Sequence, residues 1–140
     1  MAIDPAIPFQ PIAIAVLTVS DTRTPDTDKS GDVLAERITQ AGHHLIDRAI
    51  VSDDIDHIAD QIKRWSSGDQ VDAIITTGGT GLTGRDVTPE ALTSIMDKPI
   101  EGFGEAFRWM SYQKIGTSAM QSRAMAGVVN GVYVFALPGS

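Results

Sequence analysis

Residues 71–90, reading VDAIITTGGTGLTGRDVTPE, constrain the fold of this chain more than any other segment. The apolar, β-rich run at 73–76 is too short for a helix and is stopped by Gly78-Gly79, so it reads as a buried strand feeding a loop. At the far end Thr88 is the expected helix N-cap. Pro89 then takes the first helical position, where its missing N–H costs nothing. Between strand and helix lie four glycines, the hydroxyls of Thr80 and Thr83, Arg85 and Asp86, with Thr77 at the strand end. Glycines let the backbone approach a ligand closely and adopt positive φ, so that consecutive N–H groups converge on an anion. Such a loop suits a phosphate.

Two common phosphate motifs do not fit it. Gly79, Gly81 and Gly84 match G-x-G-x-x-G, but the dinucleotide fingerprint starts its helix within the glycine run, and here Pro89 starts it late. Gly79 to Gly84 also has P-loop spacing, yet Arg85 and Asp86 stand where a lysine and a hydroxyl should hold phosphate and Mg²⁺. The alternative is a glycine-rich turn with no ligand, in which each glycine gives up about 0.5–1 kcal/mol relative to alanine.

The rest of the chain alternates strand and helix patterns. Residues 1–11 carry Pro5, Pro8 and Pro11 and read as an extended arm. Residues 12–19 are continuously apolar and β-branched, as in a parallel strand covered on both faces. They lead into the polar loop 20–31, at the strand end where open α/β sheets place ligands. A helix is expected over 32–41, stopped by Gly42, and a strand over 45–51. Ile55, Ile58, Ala59, Ile62 and Trp65 predict an amphipathic helix capped by Asp53 or Asp54. A helix from Pro89 to about Asp97 follows. Phe103, Phe107 and Met110 form a stripe that reads as core or subunit contact. Residues 117–127 suggest another helix, carrying Ser122 and Arg123. Asn130-Gly131 is a tight turn into a last strand at 132–137. A strand end should feed one more helix, so residues 12–140 read as a single domain without its final C-terminal helix.

Composition narrows the function classes. The 140 residues include no cysteine, which removes disulfides, thiolate nucleophiles and cysteine-bound zinc. A net charge of −7 argues against a nucleic-acid surface and for an anion met only at a local site. The longest N-terminal apolar run is too short to span a bilayer, so no membrane association and a cytoplasmic location are expected. His43, His44 and His57 lack spaced partners and read as surface residues without a metal.

Thr76-Thr77-Gly78-Gly79-Thr80-Gly81 followed by Arg85-Asp86-Val87-Thr88-Pro89-Glu90 resembles the signature of the MoaB/Mog family of molybdenum cofactor biosynthesis proteins. Ser20-Asp21 with Arg23, Ala41-Gly42-His43-His44, Glu101-Gly102-Phe103-Gly104, Ser122-Arg123-Ala124 and Pro138-Gly139-Ser140 are similar to further family segments, the histidine pair to the MoaB branch. The resemblance implies a three-layer α/β/α sandwich around a mainly parallel five-stranded sheet with one antiparallel strand. It also implies a homo-oligomer, trimer or dimer of trimers, and a downstream molybdenum-insertion protein as a possible partner.

For function, the resemblance implies adenylylation of molybdopterin by ATP and Mg²⁺ with release of pyrophosphate. Asp53 and Asp86 match its functional acids and are the expected catalytic and Mg²⁺-positioning residues. Ser20, Asp21, Arg23, Thr77, Gly78, Gly79, Thr80, Gly81, Ser122, Arg123, Pro138, Gly139 and Ser140 are the expected molybdopterin and phosphate contacts, with Arg23 and Arg123 neutralising oxygens. Each has a plainer reading. Asp53 serves equally as a helix cap, Asp86 as a turn residue, Ser122 and Arg123 as exposed helix residues, and Asp21–Arg23 as a loop ion pair. Two other functions stay open. One is a protein of the same fold that binds molybdopterin without turnover; the other is a relative of CinA-type enzymes, which share the T-G-G-T-G loop and act on pyridine-nucleotide-type substrates.

Overall fold

The computed structural model describes residues 3–139. Six strands form one sheet: β1 (Ala13–Val19), β2 (His44–Val51), β3 (Ala73–Thr77), β4 (Lys98–Pro99), β5 (Met125–Val129) and β6 (Val132–Leu137). Four helices surround it: α1 (Lys29–Gln40), α2 (Ile55–Ser66), α3 (Thr88–Ile95) and α4 (Glu101–Ile115). The strand order is β2-β1-β3-β6-β5-β4. β1 pairs in parallel with β2 and β3, and β3 with β6, while β5 is antiparallel to both β6 and β4. Only β5 runs against the rest, as expected. The sixth strand is the two-residue β4, too short to leave a hydrophobic pattern, and its Pro99 is tolerated at a sheet edge.

Apolar residues from successive strand positions fill two cores, which explains the unbroken hydrophobic run of β1. Ala15, Leu17 and Val19 join Ile74, Val134 and Ala136 beneath Ile58, Ile62 and Trp65 of α2 and Leu92 of α3. Ile14, Val16 and Ala73 face the other way, against Ile38 and Leu34 of α1. On that same side the Phe103 ring of α4 lies 5.1 Å from the Phe135 ring. The result is the expected three layers. No helix among the described residues is long and apolar enough to cross a membrane.

Several local expectations change. The cap of α2 is Asp54, whose carboxylate accepts the His57 N–H at 3.0 Å, so Asp53 is free of that duty. His43 is half-buried and accepts the Ile12 N–H through Nδ1 at 3.1 Å, with Phe9 of the arm packed on its ring. The helix expected over 117–127 is a short 3₁₀ segment, Gly116–Gln121, followed by β5. Its alanine- and methionine-rich sequence favours a helix, but the hairpin at Asn130 (φ 49°) and Gly131 (φ 80°) draws residues 125–129 into pairing with β6.

The loop after β1 is held by an acid that the sequence alone did not single out. Asp28, only 2 % exposed, accepts hydrogen bonds from Thr18 Oγ1 (2.7 Å), the Gly31 N–H (3.1 Å) and Arg48 (3.1 Å). It caps α1 and ties β1 to β2 at once. Asp28→Ala should therefore lower stability by about 2–4 kcal/mol in urea unfolding, through the lost cap and the broken buried pair, with Asp28→Asn losing less.

Candidate ligand site at the glycine loop

The loop between β3 and α3 bends over the end of β1. Gly78 (φ 100°) and Gly79 (φ 72°) both occupy the left-handed region. A Cβ at Gly78 would collide with the Val19 carbonyl, and one at Gly79 with Thr88 Oγ1, so close approach as well as φ requires glycine here. The bend is fastened from several sides. The Gly78 N–H donates to the Leu137 carbonyl (3.0 Å), the Thr88 N–H to the Gly79 carbonyl (3.1 Å) and Thr77 Oγ1 to the Pro138 carbonyl (3.3 Å). Thr88, expected to cap α3, is fully buried and donates its hydroxyl to the Gly78 carbonyl at 2.9 Å instead. The cap residue is Val87, which offers no side-chain bond.

The Gly79 and Thr80 N–H groups find no partner among the described residues, nor does the Thr80 hydroxyl. Both residues line a cavity of about 850 Å³. Its floor is Gly78 to Gly81 with Asp86, and one rim is Pro138-Gly139 after β6. The wall comes from α4 and the turn beyond it: Phe107, Met110, Ser111, Lys114, Ile115 and Ser118. The cavity thus lies at the carboxyl ends of the adjacent parallel strands β3 and β6, the side of the sheet on which open α/β folds bind ligands.

Arg123 does not face the cavity. It follows the 3₁₀ segment in extended backbone and clamps the loop from behind. Its N–H donates to the Thr80 carbonyl (3.0 Å), Nε to the Gly81 carbonyl (2.8 Å) and Nη2 to the Asp86 carbonyl (2.7 Å). The guanidinium also grips both oxygens of Glu90, at 2.5 and 3.2 Å. The pair holds the Glu90 carboxyl below its usual range and the Arg123 guanidinium above its own. The ligand-neutralising job expected for Arg123 is thus taken over by a positioning one.

The acids form a charged patch on the same sheet edge. Asp21 does not pair with Arg23; it accepts the Asp53 N–H (2.9 Å) and two donors of Arg85 (3.0 and 2.7 Å). The Asp53 N–H first, and Arg85 second, hold the Asp21 carboxyl below its usual value. The Ser20 hydroxyl accepts the N–H groups of Thr22 and Arg23, folding that loop on itself, and Arg23 turns back to the Thr27 carbonyl at 3.2 Å. Arg23 lines a separate depression beside Arg48 and is not brought to the glycine loop. Burial, then the neighbouring Asp21 carboxylate, pushes the Asp53 carboxyl up. Asp86 is both turn residue and cavity residue: its Oδ2 accepts the Thr83 N–H (2.9 Å) and hydroxyl (2.8 Å), which hold its carboxyl low. The Asp86 charge is among those raising Asp53, so the two acids act in one electrostatic neighbourhood.

Of the other expected contacts, Ser122, Pro138 and Gly139 border the cavity and Thr77 supports the rim. Ser140 lies outside the described residues. Sequence reasoning missed Glu90 and the α4 wall. The spacing of 107, 110, 111 and 114 was the available signal, since these positions share one helical face. Among the described residues no three histidine or acidic side chains converge as a metal cage.

The sequence matches known proteins over almost all of this structure. A family profile described as "Probable molybdopterin binding domain" matches residues 15–140. Molybdenum cofactor biosynthesis protein B of Escherichia coli strain K12 is 48% identical over 132 residues, covering 94% of this chain and 78% of that protein. A crystal structure of a molybdenum cofactor biosynthesis protein B is similar with a TM-score of 0.90 at 45% identity, over 94% of this chain and 82% of the other. The tungsten cofactor synthesizing protein MoaB from Pyrococcus furiosus is similar with a TM-score of 0.81 at 36% identity, over 95% and 85% of the two chains.

Proposed function

The chain belongs to the family of probable molybdopterin binding domains, and on that premise we propose that it binds molybdopterin beside the glycine loop and adenylylates it with Mg-ATP, in molybdenum cofactor biosynthesis. One observation carries this reading: a single cavity joins unpartnered loop amides to an apolar helical wall. The amides of Gly79 and Thr80 suit a phosphate, and Phe107, Met110 and Ile115 suit a flat ring system.

In the reaction, an oxygen of the molybdopterin phosphate attacks the α-phosphorus of ATP. The bond from that phosphorus to the bridging oxygen breaks, and pyrophosphate leaves with the electron pair. Such a transfer asks the protein for alignment and charge neutralisation. Loop amides and the Thr80 hydroxyl hold the attacking phosphate, and the Arg123 clamp keeps them in register. Asp53 and Asp86 offer oxygen donors, and Asp53 makes no ion pair among the described residues. Two carboxylates completed by phosphates and waters suit Mg²⁺, which would supply neutralisation of phosphate oxygens.

A second reading, binding without turnover, draws support from Asp86, whose Oδ2 is already engaged by Thr83. Incubation with molybdopterin, ATP and Mg²⁺ separates the two. Pyrophosphate released only when all three are present supports the enzyme; pterin binding by calorimetry without pyrophosphate supports the binding protein. Absence of pterin binding refutes both.

A further inference from the structure

We propose that Lys114 is the cationic contact for a phosphate-class group of the ligand, held at the α4 wall of the cavity. This rests on the reading of that cavity as the pterin and nucleotide site. A pterin phosphate and a triphosphate bring several negative charges to a chain that already carries −7, beside the carboxylates of Asp86, Asp53 and Asp21. Loop amides contribute only partial charges, so a full cation is needed nearby.

The arginines closest to the motif are committed elsewhere. Arg85 is paired with Asp21 at 2.7 Å, and Arg123 is fixed on loop carbonyls and Glu90. Arg23 belongs to the separate depression and donates to the Thr27 carbonyl. Among the described residues Lys114 is the one basic side chain lining the glycine-loop cavity, and it makes neither an ion pair nor a hydrogen bond with any of them.

Its placement is built in by the helix. Phe107, Met110, Ser111 and Lys114 share one face of α4, so the same stripe that presents the apolar wall ends in an ammonium. Lys114 sits in the last turn of α4, and Gly116 (φ 67°) ends the helix just after it. A compact ammonium with three donors suits a phosphate as a point charge.

The test uses the full chain as wild type, Lys114→Met, Lys114→Arg and the control Lys98→Met, which alters an exposed lysine on the distant edge strand β4. Molybdopterin and Mg-ATP are titrated separately, so that the arm that weakens tells which phosphate Lys114 meets. Lys114→Met should weaken at least one of them about tenfold, with Lys114→Arg restoring most of the loss. Wild-type affinity should also fall more steeply with salt than that of Lys114→Met, while the thermal midpoints coincide. Binding of both ligands by Lys114→Met within about twofold of wild type overturns the proposal, as does an equal loss in Lys98→Met. Wild-type protein that binds neither ligand would instead remove the site reading itself, and this inference with it.

Discussion

Replacing Gly79 with alanine is expected to lower stability by about 2–5 kcal/mol and to abolish phosphate binding at the loop. Its φ of 72° costs a non-glycine residue about 1–2 kcal/mol before any contact is considered. The new methyl then meets Thr88 Oγ1, and overpacking of this kind adds about 1–3 kcal/mol. Thr88 has no room to yield, because it is fully buried and its hydroxyl holds the Gly78 carbonyl. Any shift therefore moves Gly78 and turns the Gly79 and Thr80 amides away from one another. Urea unfolding and a pyrophosphate titration check the two effects. Gly84→Ala is the contrast: φ there is not positive and a Cβ meets nothing within 4 Å, so both readouts should stay near wild type. A Gly79→Ala protein with wild-type midpoint and binding would remove the loop from the site.

The features legible in the sequence were those with a local physical cause. The continuous apolar run of β1, the i, i+3, i+4 pattern of α2 and the Asn130-Gly131 turn each follow from side-chain periodicity or φ preference, and each stands where expected. The glycine bend was legible too, because Gly78 and Gly79 answer to steric needs at Val19 and Thr88. What stayed hidden depends on long-range partners. Arg123 pairs with Glu90, thirty-three positions away, and no spacing rule predicts that a guanidinium will be absorbed by the carbonyls of Gly81 and Asp86. Residues 117–127 carry helical propensity that pairing with β6 overrides. The α4 stripe was visible, but which half is core and which half lines a cavity depends on Phe135 lying under Phe103 and on the glycine loop ending beside Met110.

The neutralising task that the sequence pointed to for Arg23 and Arg123 is, on the proposal above, carried by Lys114, while Arg123 positions the loop. A guanidinium with a fork of donors suits the simultaneous capture of two carbonyls and a carboxylate, and that is how Arg123 is used. Holding the loop's own acceptors leaves its amides free for the ligand. The counter-charge then falls to a side chain on the opposite element of the cavity wall.

Asp53→Asn should reduce pyrophosphate release by about 10²-fold or more while leaving the fold intact or slightly more stable at neutral pH. The sign follows from its environment. Burial and the Asp21 carboxylate raise the Asp53 carboxyl above its usual 3.8, so the ionised form is penalised in the folded state relative to the unfolded chain. Neutralising it removes that penalty above the raised value, and the advantage should vanish as pH falls below 3.8, where the acid is protonated in both states. Asp86→Asn should behave differently. Its carboxyl is held low by Thr83, so the charge stabilises the loop above pH 3.8 and its loss should cost stability as well as turnover. An acid standing where an amide would be more stable points to a requirement other than folding. Kinetics and urea unfolding of the two variants across pH 3–8 test this, and an Asp53→Asn protein with wild-type turnover would leave that charge without a role in the reaction.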